Sequence, residues 1–169
     1  TSAVAGDGKS HVAVAIAKNL SERKGLTVLL IDANMHNPSI HTFFNIDNTR
    51  GLADILANTA ETTIEPLYTI NSNLTILTAG KTEDDTIALL NSKAIKKIAA
   101  HGKKSYDLII IDSPDASNNR DALSLASLAD SVAFVISEGF TRMHIINKAL
   151  SLLKERDNLP GIILNKRLF

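Results

Sequence analysis

The sequence predicts an α/β domain in which a mainly parallel, twisted sheet carries helices on both faces. Three observations carry that prediction. Two apolar runs, TVLLID (27–32) and YDLIIIDSP (106–114), close on an aspartate, as strands covered on both faces do. Segments of helical apolar spacing separate the candidate strands, and such alternation implies right-handed crossovers and a parallel sheet. A glycine-containing loop, AVAGDGKS (3–10), stands immediately before the first helical segment.

After His11, residues up to 17 alternate valine or isoleucine with alanine, a pattern that a strand also shows. Alanine is the best helix former, however, and the run Lys9 to Lys24 ends at Gly25, a residue suited to a helix C-terminus. Its last turn is polar and its first turns are apolar nearly all round, so the expectation is a helix with a buried beginning. After TVLLID, Asn37-Pro38-Ser39 breaks the chain, and GLADILAN (51–58) predicts a short helix. LTILTAG (74–80) reads as a strand ended by Gly80. Ile87, Leu90, Ala94, Ile95 and Ile98 follow helical spacing up to a stop at Gly102. The strand in YDLIIIDSP follows. Leu123, Ala126 and Leu128 suggest a short helix before the strand SVAFVIS (131–137). Ile145, Ile146, Ala149, Leu150, Leu152 and Leu153 make a helix, and GIILN (161–165) the last strand.

The chain of 169 residues is long enough for one domain with a sizeable core. Lys+Arg and Asp+Glu stand at 18 each, so no net field points to nucleic acid or to anionic lipid. Aromatic residues are 4% and tryptophan is absent, which argues against a base-stacking platform for single strands. Cysteine is absent, which excludes disulfides and thiolate metal sites within these residues and fits a reducing compartment. No apolar run reaches the length of a membrane span, and no signal peptide is visible. A phosphate loop normally follows a strand and at most Thr1 to Val4 remain to form one, so the expectation is a domain whose N-terminal neighbour lies outside this sequence.

The loop has the chemistry of a phosphate cradle. The pattern for such loops is G-x-x-x-x-G-K-[ST]; Gly8, Lys9 and Ser10 fill its second half, while Ala3 stands at the first-glycine position. Gly6 and Gly8 let the backbone turn sharply and bring N–H groups against phosphate oxygens. The helix that follows adds its own N-terminal N–H groups and the positive end of its dipole. Lys9 can reach the β- and γ-phosphates, and Ser10 can offer its hydroxyl to Mg²⁺. Asp112, at the tip of an apolar strand, can meet a Mg²⁺-bound water, since Mg²⁺ typically takes one or two carboxylates. Asp32, at the tip of another, can act as a general base or a further metal support. In a parallel sheet these motifs share the ligand-binding carboxyl end. The fold class is therefore that of phosphate-loop NTPases.

The stretches AVAGDGKS, LLIDANMHNPSIHTFFNIDNTRGLADIL and YDLIIIDSPDASNNRDALSLASLADSVAFVISEGFTR resemble, in order, the ATPase domain of bacterial tyrosine kinases (BY-kinases) of the polysaccharide-biosynthesis type. That family is related to the septum-site and plasmid-partitioning ATPases, and the final GIILNK is similar to its last core strand. Its loop often carries a small residue at the first-glycine position. The resemblance implies ATP and Mg²⁺ as cofactors. It implies a Walker A loop built from Gly6, Asp7, Gly8, Lys9, Ser10 and His11, with Lys9 and Asp32 catalytic. It further implies a Walker A′ motif at Asp32, a Walker B aspartate at Asp112, metal support from Ser10, Asp32 and Asp112, and an adenine contact from Asn165. It also implies cytoplasmic action beside or fused to a membrane protein that governs polysaccharide chain length and export. Assembly into a homo-oligomer and phosphorylation of tyrosines in the family's C-terminal tail belong to the same implication; nucleic acid does not.

Several positions depart from the family. Walker A′ there usually reads Asp-x-Asp-x-Arg, and here it is Asp32, Asn34 and His36. Asn34 cannot act as a base or carry negative charge, and His36 is mostly neutral near pH 7. Ala5 replaces a usual proline, His11 a threonine and Asp115 a proline. Tyr68 and Tyr106 are the tyrosines present, and Tyr106 is expected to be structural. Nucleotide binding thus survives these changes better than tyrosine-kinase transfer does. The alternatives are a nucleotide-responsive regulatory module without useful transfer, and a partitioning-type ATPase, which Val4 disfavours because that group carries a second lysine there. His36 and His41 lack a third metal ligand nearby, the lysines at 96, 97, 103 and 104 read as a solvated face, and Met143, Phe43 and Phe44 as core or interface residues.

Overall fold

The computed structural model describes residues 1–57, 68–91, 93–116, 120–154 and 161–165. The chain divides into two compact units, Thr1–Val12 with Ser113–Phe169, and Ala13–Asp112. The hydrogen-bonded strands form two sheets, with mainly parallel pairing.

In the Ala13–Asp112 unit the central strand is β1 (Val28–Asp32), every residue of which is buried. It pairs in parallel with β3 (Leu74–Leu77) on one side and β4 (Leu108–Asp112) on the other. The uninterrupted apolar run is thus the signature of a strand buried on both faces. In β4, residues 108–111 are only half-buried, against the expectation of full burial.

A strand that the sequence reading did not foresee, β2 (Tyr68–Asn71), lies antiparallel on β3 at the sheet edge. Its short, largely exposed run shows no sustained apolar pattern. Beyond Leu77 the predicted strand 74–80 leaves the ladder. Thr78 and Ala79 instead accept from the N–H groups of Leu52 and Ala53 at 2.8 and 2.9 Å. These bonds seat α3 (Leu52–Ala57), the helix expected at 51–58; residue 58 lies outside the described residues. Gly51 and Gly80 permit the close approach, because a Cβ on Gly51 would stand 2.3 Å from Gly80 N.

Helix α1 (Lys9–Arg23) begins in one unit and continues into the other. Ala13, Val14, Ala17 and Ser21 form its buried stripe, while His11 and Ala15 are exposed. The expected all-round burial of its beginning is therefore corrected: an amphipathic stripe suffices, and alanine tolerates exposure at little cost. Gly25, at φ +64, ends it as expected. Ala13, Val14 and Ala17 pack with Val28, Leu30, Ile40, Leu74 and Ile76 in this unit's core, with Phe43 and Phe44 half-buried beside it.

The predicted helical run from Ile87 is two helices. In α4 (Thr86–Leu90) the Asp85 carboxylate caps the N-terminus by accepting from Ile87 N at 2.9 Å, and Asn91 is the C-cap. Asparagine competes for backbone bonds and so interrupts the run. Helix α5 (Lys93–Ser105) then continues through Gly102, which does not stop it. Gly102 is buried, and a Cβ there would meet Ile109 Cδ1 at 2.7 Å, so this glycine permits close helix–strand packing. Alanine would gain about 1 kcal/mol of helix propensity, against an overpacking cost of about 1–3 kcal/mol. Gly102→Ala is expected to lower stability by about 1 kcal/mol, a thermal shift of roughly 2–4 °C; an unchanged or raised melting temperature would contradict it.

The other unit pairs β5 (Ala133–Ser137) in parallel with β6 (Gly161–Asn165), and Ser2 adds a parallel bridge to Val135. Helices α6 (Arg120–Ala126) and α7 (Met143–Lys154) belong to this unit. Ala3, Ala122, Phe134, Ile146, Ala149 and Leu153 share its core, with Val4 packed against it.

Candidate functional site

The loop of residues 3–10 has the backbone its glycines predict. Gly6 and Gly8 sit at φ +91 and +88, a region that L-residues with a side chain rarely enter. A Cβ on Gly8 would lie 2.2 Å from Asn165 Nδ2. Ala3, by contrast, is fully buried in the core and has no positive φ, so its methyl group serves packing where the general pattern has glycine. Helix α1 starts directly from the loop; its first internal bond runs from Val12 N to Gly8 O at 3.0 Å, and the N–H groups of the first turn lie ahead of that ladder. No acidic side chain occupies this turn, leaving the positive dipole end uncompensated from within it. Lys9 and Ser10 are half-buried and His11 is exposed.

Asp7 has a different place from the one a phosphate-contacting side chain would take. Its side chain is fully buried, and its carboxylate accepts from Val4 N at 3.1 Å, from Ser137 N at 3.3 Å and from the Thr141 hydroxyl. It ties the loop to the end of β5. The Asn165 amide donates to Asp7 O at 3.0 Å, so the tip of β6 braces the same loop.

The Ala13–Asp112 unit brings the two predicted aspartates together: Asp32 and Asp112 are register partners at the ends of β1 and β4, both buried. Ala33 N donates to Asp112 O at 2.8 Å. Asp32 Oδ1 accepts from Asn34 N at 3.1 Å, and Oδ2 accepts from Ser39 N and Ile40 N at 2.9 Å each. The carboxylate thereby organises the turn into α2 (Ile40–Phe44), a helix the sequence reading left out. Burial pushes the Asp32 carboxyl up to about 6; the nearby Asp112 charge adds to this, and the three backbone donors oppose it.

The two departures at this turn are hydrogen-bonded into it. Asn34 Nδ2 donates to Asn37 O at 2.9 Å, and His36 Nε2 lies 2.9 Å from the Thr86 hydroxyl at the start of α4. Among the described residues, no group of three metal-binding side chains gathers anywhere, which includes the region of His36 and His41. No helix there is long and apolar enough to cross a membrane.

A family model described as NUBPL iron-transfer P-loop NTPase, of the ParA type, matches residues 1–167. The absence of cysteine denies this stretch the thiolates that iron would prefer. Tyrosine-protein kinase YwqD of Bacillus subtilis is 34% identical over 166 residues, covering 98% of this chain and 70% of the relative. Among solved structures, the VpsO kinase domain superposes with a TM-score of 0.86 at 29% identity, covering 99% of this chain and 83% of that one. The septum site-determining protein MinD of Pyrococcus horikoshii, complexed with Mg-ADP, shares the fold at a TM-score of 0.79 and 23% identity, covering 95% of this chain and 66% of that one. A family match over nearly every residue, joined to this kinship with kinases, has one reading: the chain belongs to the ParA family of P-loop NTPases, on the side of the bacterial tyrosine kinases.

Proposed function

We propose that this chain binds Mg·ATP and acts as a BY-kinase-type phosphotransferase or ATPase that regulates bacterial polysaccharide assembly and export, at the cytoplasmic face beside a membrane partner. The observation that carries the reading is the loop itself, with Gly6 and Gly8 at positive φ leading straight into a helix whose first residues are Lys9 and Ser10. In this reading the loop amides and Lys9 hold the phosphates, Ser10 and Asp112 support Mg²⁺, and Asn165 borders the nucleoside. Two desolvated carboxylates in register fit a divalent cation, whose positive charge would relieve their repulsion; the chemistry Mg²⁺ would supply is neutralisation of phosphate charge. Asp32 would take either role its place at the strand tip allows, a further metal support or the proton acceptor.

A second reading, a nucleotide-responsive module without useful transfer, is favoured by Asn34 and His36. Both are hydrogen-bonded within the turn, at positions where the kinases usually carry aspartate and arginine. A partitioning-type ATPase is supported less well, since Val4 packs on the core where that group places a lysine.

Labelled ATP with Mg²⁺, given to the chain together with its native flanking sequence and partner segment, separates these readings. Tyrosine label lost in Lys9→Ala and Asp32→Ala supports the kinase; binding without label supports the module. Lys9→Ala is expected to weaken ATP binding by roughly ten- to a hundred-fold in a calorimetric titration, the loss of one charge-assisted phosphate contact. No nucleotide binding by the native chain would overturn both readings.

A further inference from the structure

Phe140 follows β5 in a tight turn and lies over the loop: a Cβ on Gly6 would meet its Cε1 at 3.5 Å and its Cζ at 3.6 Å. These are ordinary van der Waals distances, reached by two adjacent atoms at the ring's edge, so the ring stands against the loop at Gly6 while 47% of the residue's surface is exposed. Its place is built in. Gly139 turns at φ +74, Phe140 N donates to Ser137 O at 3.3 Å, and both Ser137 N and the Thr141 hydroxyl bind the Asp7 carboxylate. The carboxylate that braces the loop therefore also sets the ring against it. Ser137 and Asn165 are register partners on β5 and β6, and the Asn165 amide abuts Gly8. The loop is thus bordered at Gly6 by the edge of an aromatic ring and at Gly8 by an amide.

A bare anion has no use for an aromatic wall beside its amide cradle, but a ligand with phosphates at one end and a flat ring system at the other does. We infer that Phe140 is a wall of the nucleotide site, against which the nucleoside packs while the loop holds the phosphates. The inference rests on the nucleotide reading above and adds a residue to it. Stacking of this kind tolerates any base, since each has a π-face. Phe140 consequently contributes affinity for nucleoside triphosphates in general, with little choice between ATP and GTP.

The test is a calorimetric titration of the native chain, Phe140→Ala, Phe140→Leu and Phe140→Trp with Mg·ATP and, separately, with Mg·tripolyphosphate. Phe140→Ala is expected to weaken ATP binding roughly five- to thirty-fold, and tripolyphosphate binding by less than about twofold. Phe140→Leu, which keeps apolar bulk without a plane, should fall between. Phe140→Trp should retain ATP affinity. Because the chain has no tryptophan of its own, the emission of that variant should be quenched by ATP and unmoved by tripolyphosphate. Equal ATP affinity in the native chain and Phe140→Ala overturns the inference and leaves the nucleotide reading standing. Equal loss for ATP and tripolyphosphate also overturns it, assigning Phe140 to the shape of the loop. If the native chain binds tripolyphosphate and ATP equally tightly, the nucleoside has no wall and the inference fails. If it binds neither, the nucleotide reading fails and takes this inference with it.

Discussion

Asp7→Ala should destabilise this protein by about 3–5 kcal/mol, since it strands three donors at a buried position and each costs roughly 1–3 kcal/mol when left unmade. The donors are Val4 N, Ser137 N and the Thr141 hydroxyl, and the last lies 134 residues away in the chain. For a domain of this size the loss corresponds to a melting temperature lower by about 10 °C or more. Asp7→Asn should lose less, because its carbonyl oxygen can keep Ser137 and Thr141 while its NH₂ group opposes the N–H of Val4. Thermal and denaturant unfolding of the three proteins measure this order. A melting temperature for Asp7→Ala within about 2 °C of the native value would show that the carboxylate is not the brace described.

Asp32 gives the second large effect, and its sign is set by burial. Burial raises the folded-state carboxyl to about 6 against 3.8 for the unfolded chain, so the folded chain holds this proton more tightly. Its contribution to stability is present in full below about pH 4 and lost as the pH rises through about 6. The whole shift corresponds to roughly 3 kcal/mol. Asp32→Asn removes this titration. Denaturant unfolding of the metal-free native chain and of the variant, taken from pH 4 to 7, should show the native chain losing stability relative to the variant by that amount. Added Mg²⁺ with ATP should recover native stability more at pH 7 than at pH 5. Parallel pH curves for the two proteins would refute the assignment.

The parts of the site that the sequence exposed are those whose signal is local. TVLLID and YDLIIIDSP announce strands because several neighbouring apolar residues must be buried together, and an aspartate at such a strand's end stands where the apolar run stops. Gly6 and Gly8 announce the loop because a left-handed backbone excludes most other residues. Other features carry no local trace. β2 is four residues long and mostly exposed, and the start of α2 depends on a carboxylate seven and eight residues earlier. Gly102 reads as a helix stop in one dimension, whereas the distance to Ile109 gives the reason for it.

The amino-acid sequence by itself determined the α/β class, the phosphate loop, the pair of strand-end aspartates and the kinship with the tyrosine kinases. The first three follow from neighbouring residues whose burial or backbone freedom is a local demand, and the kinship from the ordered resemblance of whole stretches. The tertiary structure alone decided that Asp7 turns inward as a brace, that Asn34 and His36 are hydrogen-bonded into their turn, and that the Phe140 ring stands against Gly6. The partners in those contacts come from turns and strands that only folding brings together, and hydrogen bonds and ring packing depend on distance in space and not on separation along the chain.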